Sequence, residues 1–417
     1  MKRTRIVIAL GGLALILLCG SGLLAVDLAK LQESYERASK AYEEKDYPAY
    51  LDAIGECLRN FPNHPVLLYR LAAAYALNSM PLKALPSLRQ TASMGLVFDI
   101  WKSSDFRSLQ RRPEFKKIMD FYAKNAAPLK GSRPAWTTPG KGWLIEGLAF
   151  DPQKKRFYAG SVRQGKILSL DRTGKSEAFS KAEDGLWGVL GLKVDPPRRI
   201  LWASMSALPQ TEGYKPEDEG RAGLASYDLK TGRLLKKYLL PGNPEKHLLG
   251  DLAVDPQGTV VATDSQSPVL YTPSASGGGL DIFLQHDAFQ SLQGIDFSSD
   301  GRAIFVSDYS VGVYVIDRRT QSVRLLDPPR NGALIGIDGL YFYRGSLLAV
   351  QTRPSGPTPI PLYAEPDAAS RVVAELPAEI ETPLTGCRGA WVRVKYGEME
   401  GWLDPASHCG NPVTTCP

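Results

Sequence analysis

From Leu31 to about Tyr122, apolar residues recur every three or four positions, broken by Pro62, Pro65 and Pro81, which predicts a series of helices. From Trp136 the period shortens to two. Five segments then align: GLAFDPQKKRFYAGS from Gly147, GLKVDPPRRILWASM from Gly191, DLAVDPQGTVVATDS from Asp251, GIDFSSDGRAIFVSD from Gly294 and GLYFYRGSLLAV from Gly339. Their starts lie 44, 60, 43 and 45 residues apart. Each reads strand, Asp/Pro/Gly turn, strand, and often a third strand such as KILSLD (166–171) or GVYVIDRR (312–319). Short strands repeating at this interval predict the blades of a β-propeller, each burying its faces against its neighbours. The longest interval holds the polar insertion SALPQTEGYKPEDEGRAG, expected as a loop on one face.

The rhythm stops at PSGPTPIP, a Pro/Gly-rich linker over 354–360, and short alternating runs resume over 361–417. In the helical part, YERASKAY (35–42) superimposes on LYRLAAAY (68–75) with a period of 33, placing Ala38 on Leu71 and Tyr42 on Tyr75. Small residues where helices cross, a Tyr above them, and the continuation through Ala84 and Leu88 resemble the tetratricopeptide repeat, over about two units within 30–125. A generic layer of helical hairpins would show a similar spacing. The last segment resembles a bacterial SH3-like domain through Tyr363–Asp367, Gly389–Val394 and the pair Gly401 and Trp402.

The first residues add a compartment. Lys2, Arg3 and Arg5 precede an apolar run from Ile6 to Leu18 and then small residues, the layout of a secretory signal over 1–25. Cleavage after Ala25 fits, although Leu23 is large for its position; an uncleaved anchor is the alternative, and only that case would make the membrane a partner. Without those three cations the formal charge falls from +6 to +3, which gives no general case for nucleic acid. Export to an oxidising periplasm would let two of Cys387, Cys409 and Cys416 pair, with Cys57 apart near the start. No Cys/His spacing suggests zinc ligation. No Gly-x-Ser-x-Gly elbow or Walker loop is present, and four scattered histidines suggest no triad. The short basic runs QRRP and DPPRR read as solvated.

Over roughly 136–353 the chain resembles the senescence marker protein and gluconolactonase family. The likeness is carried by IEGLAFDP (145–152), EDGLWGVLGLKVDPPRRILW (183–202), GRAGLASYDLKTGRLLKKYLLPG (220–242) and FVSDYSVGVYVID (305–317). The resemblance implies one divalent cation, Ca2+ or Zn2+, at the mouth of a six-bladed propeller, polarising a lactone carbonyl and activating water. Glu146 matches the first ligand and Asp308 the last. The Asn positions are Gly250 and the apolar Val189 and Leu190, so two ligands are missing; Asp251, His247 and Asp338, at equivalent strand starts, are the candidates to compensate.

The chain supplies four full units and the opening strands of a fifth, so a six-bladed ring lacks about one and a half blades. Segment 123–143, the SH3-like module or a partner could cover the opening. The expected fold is therefore multidomain and mainly β: an α-helical repeat layer, an incomplete six-bladed-type propeller and a small SH3-like β-barrel. The expected function is an exported scaffold that binds proteins, peptides or cell-wall material through its repeats and SH3-like module, with a degenerate lactonase-type propeller. The alternative is a divalent-metal-dependent lactone or ester hydrolase.

Overall fold

A computed structural model describes residues 28–127, 131, 133–138, 142–241, 246–352, 360–376, 384–388, 391–396 and 399–404. The expected signal over 1–25, nearly all of the linker, Cys409, Cys416 and the side chain of Cys387 lie outside the described residues. Among the described residues no helix is long and apolar enough to cross a membrane.

Among the described residues five α-helices come first: α1 (Leu28–Glu43), α2 (Tyr47–Asn60), α3 (Pro65–Leu77), α4 (Pro81–Ser93) and α5 (Pro113–Ala126). Each packs on the next. Proline stands within the first two positions of α2 to α5, where its missing N–H removes no helical bond. Of the positions singled out by the 33-residue period, Ala38, Ala84 and Leu88 are fully buried and Leu71, aligned with Ala38, is half-buried; Ala72 and Tyr50 fill the space between helices beside them. Cys57 is a buried free thiol in the same layer.

Among the described residues eighteen strands follow before the C-terminal sheet. β1 (Ile145–Asp151), β2 (Arg156–Ser161), β3 (Lys166–Leu170) and β4 (Ser176–Ala178) form one antiparallel sheet in chain order. β5 (Gly188–Asp195), β6 (Ile200–Ser206), β7 (Ala222–Asp228) and β8 (Leu234–Leu239) form a second. The third is β9 (Leu249–Val254), β10 (Val260–Asp264), β11 (Val269–Pro273) and β12 (Leu280–Gln285). The fourth is β13 (Leu292–Phe297), β14 (Ala303–Asp308), β15 (Gly312–Asp317) and β16 (Val323–Leu325). The fifth has two strands, β17 (Ile337–Tyr343) and β18 (Ser346–Gln351). First strands pack in succession, β1 on β5, β5 on β9, β9 on β13 and β13 on β17, while β17 and β1 share no comparable packing. This is a propeller-like arc of four blades and a half. Among the described residues, the segment between α5 and β1 adds no strand; Trp136 lies instead against Phe157 on the first sheet, with ring centroids 5.7 Å apart.

Interblade ion pairs hold the turn end. Asp151, buried at the end of β1, accepts both amine arms of Arg199 at 2.9 and 2.6 Å, and the pair pulls its carboxyl below the usual range. Asp255 accepts one arm of Arg318, whose other arm donates to the Thr259 hydroxyl at 2.6 Å. The DPPRR run, expected to be solvated, is thus half structural: Arg199 ties the second blade to the first, and Arg198 binds Asp195 and the Pro256 carbonyl. The helical layer docks on the fourth blade, where Val311 and Leu325 join its first core and Ala333 its second. A C-terminal five-stranded antiparallel sheet, in the order β20 (Val372–Leu376), β19 (Ile360–Tyr363), β23 (Met399–Leu403), β22 (Trp391–Tyr396), β21 (Leu384–Arg388), has its own core of Leu362, Leu376, Val392, Val394 and Leu403.

Candidate functional site

Every first strand of the arc breaks register over one or two residues near its start, between Ile145 and Leu148, Val189 and Leu192, Leu249 and Leu252, Leu292 and Ile295, and Ile337 and Gly339. Aligned on these bulges, the residues are Glu146-Gly147, Leu190-Gly191, Gly250-Asp251, Gln293-Gly294 and Asp338-Gly339. The second position is glycine in four of the five, and at Gly147, Gly191 and Gly294 the next blade leaves no room for more, whereas Gly339 of the last half-blade has space. A Cβ on Gly147 would strike the Leu190 carbonyl, and one on Gly294 the backbone at Leu340. Hydroxyls opposite the bulges continue the linkage: Ser204 donates to the Gly250 carbonyl at 3.4 Å and Thr263 to the Gln293 carbonyl at 2.7 Å.

Asp251 takes the place of that glycine. Its carboxylate lies between the third and fourth blades and accepts the Leu252 amide at 2.8 Å. Burial raises its pKa to about 7, against the opposing charge of Lys193 and its bonds to the Leu252 and Ile295 amides. Lys193 of the second blade reaches Asp296 of the fourth at 3.0 Å, and its amine stands 5.5 Å from the ring centroid of Tyr341 of the fifth. Asp296 also accepts the Phe297 and Phe342 amides at 3.0 and 2.9 Å. Burial, then the charges of Asp251, Asp296 and Asp338, pushes the Tyr341 phenol up to about 12. At the first bulge position, the carboxyls of Glu146 and Asp338 both lie above the ordinary range; burial is the main cause, and at Glu146 the charge of Asp338 adds to it.

Of the residues expected from sequence, Glu146, Asp251 and Asp338 therefore share the inner-strand bulges. Asp308 does not join them. Fully buried at the end of β14, it accepts the Gln290 and Ser291 amides on one oxygen at 2.7 and 3.0 Å, and the Ser310 and Val311 amides on the other at 3.1 and 3.2 Å. The residue expected as the last cation ligand is a loop lock. Burial still holds its carboxyl above the ordinary range despite four donors.

The same lock recurs in the third blade, where His247 is found. His247 Nδ1 lies 2.7 Å from Asp264, whose oxygens also take the Leu248 and Gln266 amides and the Ser267 hydroxyl. Burial alone would raise the Asp264 carboxyl; the His247, Ser267 and amide bonds bring it below its usual value. The imidazole is buried edge-on to Tyr271 at the corner just before β9.

No family model matches this sequence, and no curated protein matches it. Among solved structures, the chain is similar to one in "Crystal structure of Nidogen/Laminin Complex" at 13% identity and a TM-score of 0.36, covering 46% of this chain and 66% of that one. The chain thus spans slightly under two thirds of that relative. The blade description rests on the strand pairings themselves.

The residues present do not fit the cation that the sequence resemblance implies. Both oxygens of Asp308 are committed to backbone donors, the Asn positions are Gly250 and apolar Leu190, and among the described residues no group of three or more His, Cys, Asp or Glu is placed to share an ion. What the bulges bring together is a lysine, carboxyls of raised pKa and a phenol, a set that donates and accepts hydrogen bonds around neutral pH. Lys193, Asp296 and Tyr341 were not among the residues read from sequence. Their signal is the position after the apolar anchor of each first strand, alanine at Ala149 and Ala253 but Lys193, Asp296 and Tyr341 elsewhere.

Proposed function

We propose that this chain is an exported binding protein whose six-bladed-type propeller is an incomplete scaffold, carried between a tetratricopeptide-like helical layer and an SH3-like module that engage protein, peptide or cell-wall partners. The observation that carries this reading is the commitment of Asp308 to four backbone amides, which leaves neither oxygen of the last expected metal ligand without a donor. The helical layer adds an open cavity of about 390 Å³ lined by residues that include Asp52, Arg59, Tyr75 and Lys83, suited to a polar peptide.

The second reading, a metal-dependent lactone or ester hydrolase, draws support from Glu146 and Asp338 at the inner-strand starts, where the charge of Asp338 adds to burial in raising the Glu146 carboxyl. Hydrolysis of a panel of aliphatic and aromatic lactones, with and without added Ca2+ or Zn2+, separates the two. The binding reading expects no metal-stimulated turnover. Turnover that needs the metal and disappears in Glu146→Gln would replace it with the hydrolase.

A further inference from the structure

The open cavity of the helical layer, about 390 Å³, is a groove between α2, α3 and the start of α4. Leu51 of α2 and Leu71 and Tyr75 of α3 form its apolar side. Each of the three is half-buried against a helical core, which leaves part of its side chain to the groove. Arg59 and Lys83 bring two cations to the same lining.

Both cations are turned inward. A long cationic side chain at an exposed helix position ordinarily carries its head out into water. Here the Lys83 amine stands 5.9 Å from the Tyr75 ring centroid, and Arg59 Nη1 lies 3.8 Å from where a Cβ on Gly55 would be. Among the described residues neither cation has an ion-pair partner. Glu56, on the turn before Arg59, is held by Arg37 at 2.6 Å and lies 3.9 Å from Lys30, and Asp52, the acid in the lining, pairs with neither cation. Two positive charges against one negative leave the lining at +1.

Gly55 keeps the groove open. It stands in the middle of α2, where glycine is a poor helix former. No neighbour excludes a larger residue, since an added Cβ would meet nothing nearer than Arg59 at 3.8 Å. What the missing side chain provides is space over the helix backbone, beneath the Arg59 guanidinium.

We infer that this groove binds a peptide in which a carboxylate adjoins an apolar side chain. The apolar side chain lies over Gly55 against Leu51, Leu71 and Tyr75. The carboxylate takes hydrogen bonds from the Arg59 fork and the Lys83 ammonium. A free chain terminus and an acidic side chain offer the same group. The inference rests on the binding reading and gives it a ligand class, and no residue of the groove is an expected metal ligand.

The test is calorimetric titration of the chain from Val26 onward with three N-acetylated tetrapeptides: Ser-Gly-Leu-Leu with a free C-terminal carboxylate, the same peptide as its amide, and Ser-Gly-Leu-Asp as its amide. At least one carboxylate peptide should bind saturably and about tenfold or more tighter than the neutral amide; the tighter of the two names the source of the carboxylate. Arg59→Gln with Lys83→Gln, two exposed positions, should remove that preference. Gly55→Leu, which favours the helix, should abolish binding with the fold retained by circular dichroism. Absence of binding up to ~1 mM by folded protein, equal affinity for acid and amide, or indifference to the double change would overturn the inference. Metal-stimulated lactone turnover by the same preparation would overturn the binding reading and leave the peptide result standing. Failure of all three peptides without such turnover would strike the inference alone.

Discussion

Leu148 and Leu252 hold the same place in their blades, one residue after the bulge, yet Leu148 is 49% exposed and Leu252 is 1% exposed. The difference is the neighbour: Leu252 faces the second blade, and Leu148 faces the opening between the ends of the arc. Leu252→Ala should cost about 2–5 kcal/mol in urea unfolding, the ordinary range for a buried leucine. Leu148→Ala should cost less than about 1 kcal/mol. Equal losses at the two positions would mean that something within the chain closes the arc.

The bulge glycines make a sharper contrast. Gly294→Ala drives a methyl into the Leu340 backbone, while the same methyl on Gly339 meets nothing closer than 3.5 Å. Gly294→Ala is expected to lower stability by about 3 kcal/mol or more, with Gly339→Ala within about 1 kcal/mol of the parent. Thermal unfolding of the two variants side by side checks this.

Asp251 gives a pH dependence with a definite sign. Its folded pKa of about 7 lies above the unfolded value of 3.8, so its contribution to stability is present below the unfolded value and is lost as pH rises through about 7. Asp251→Asn should therefore be more stable than the parent at pH 8, with the difference shrinking toward pH 5. A parent that outlasts the variant at pH 8 would show that the Leu252 and Ile295 bonds need the ionised carboxylate.

His64 acts in the opposite direction. Its Nδ1 accepts the Leu67 amide at the start of α3, which leaves Nε2 to donate to the Ser310 carbonyl, each at 3.4 Å, so the neutral ring serves both the helix cap and the helical layer's contact with the fourth blade. Burial lowers its pKa to about 4, outweighing the Ser310 bond. The stability it contributes is present above the unfolded value of 6.5 and is lost as pH falls toward 4. In His64→Gln the unfolding midpoint should vary less between pH 6.5 and 4 than in the parent.

Much of the arc is legible in the sequence because blade signals are local. The Gly-hydrophobic start, the Asp/Pro/Gly turn and the alternation in β2, β6, β10 and β14 fix four sheets and a half-sheet. The bulge glycines were visible as aligned residues, and Asp251 as the exception among them. Less legible were contacts that join distant segments. Nothing near Asp308 in sequence reveals that amides from Gln290 and Ser291 will occupy one of its oxygens, since those residues come from the loop before the partner strand. Lys193 and Asp296 are 103 positions apart, and only the curvature of the arc brings them to 3.0 Å. Arg199 read as surface charge because its partner Asp151 belongs to the previous blade.

Calorimetric titration of the chelator-treated chain, from Val26 onward, with Ca2+ and then Zn2+ tests the central claim most directly. With Asp308 bound to backbone amides and Gly250 and Leu190 at the missing ligand positions, the account predicts no saturable heat at micromolar metal. One-to-one binding that disappears in Glu146→Gln would contradict it and place a metal centre among the inner-strand bulges.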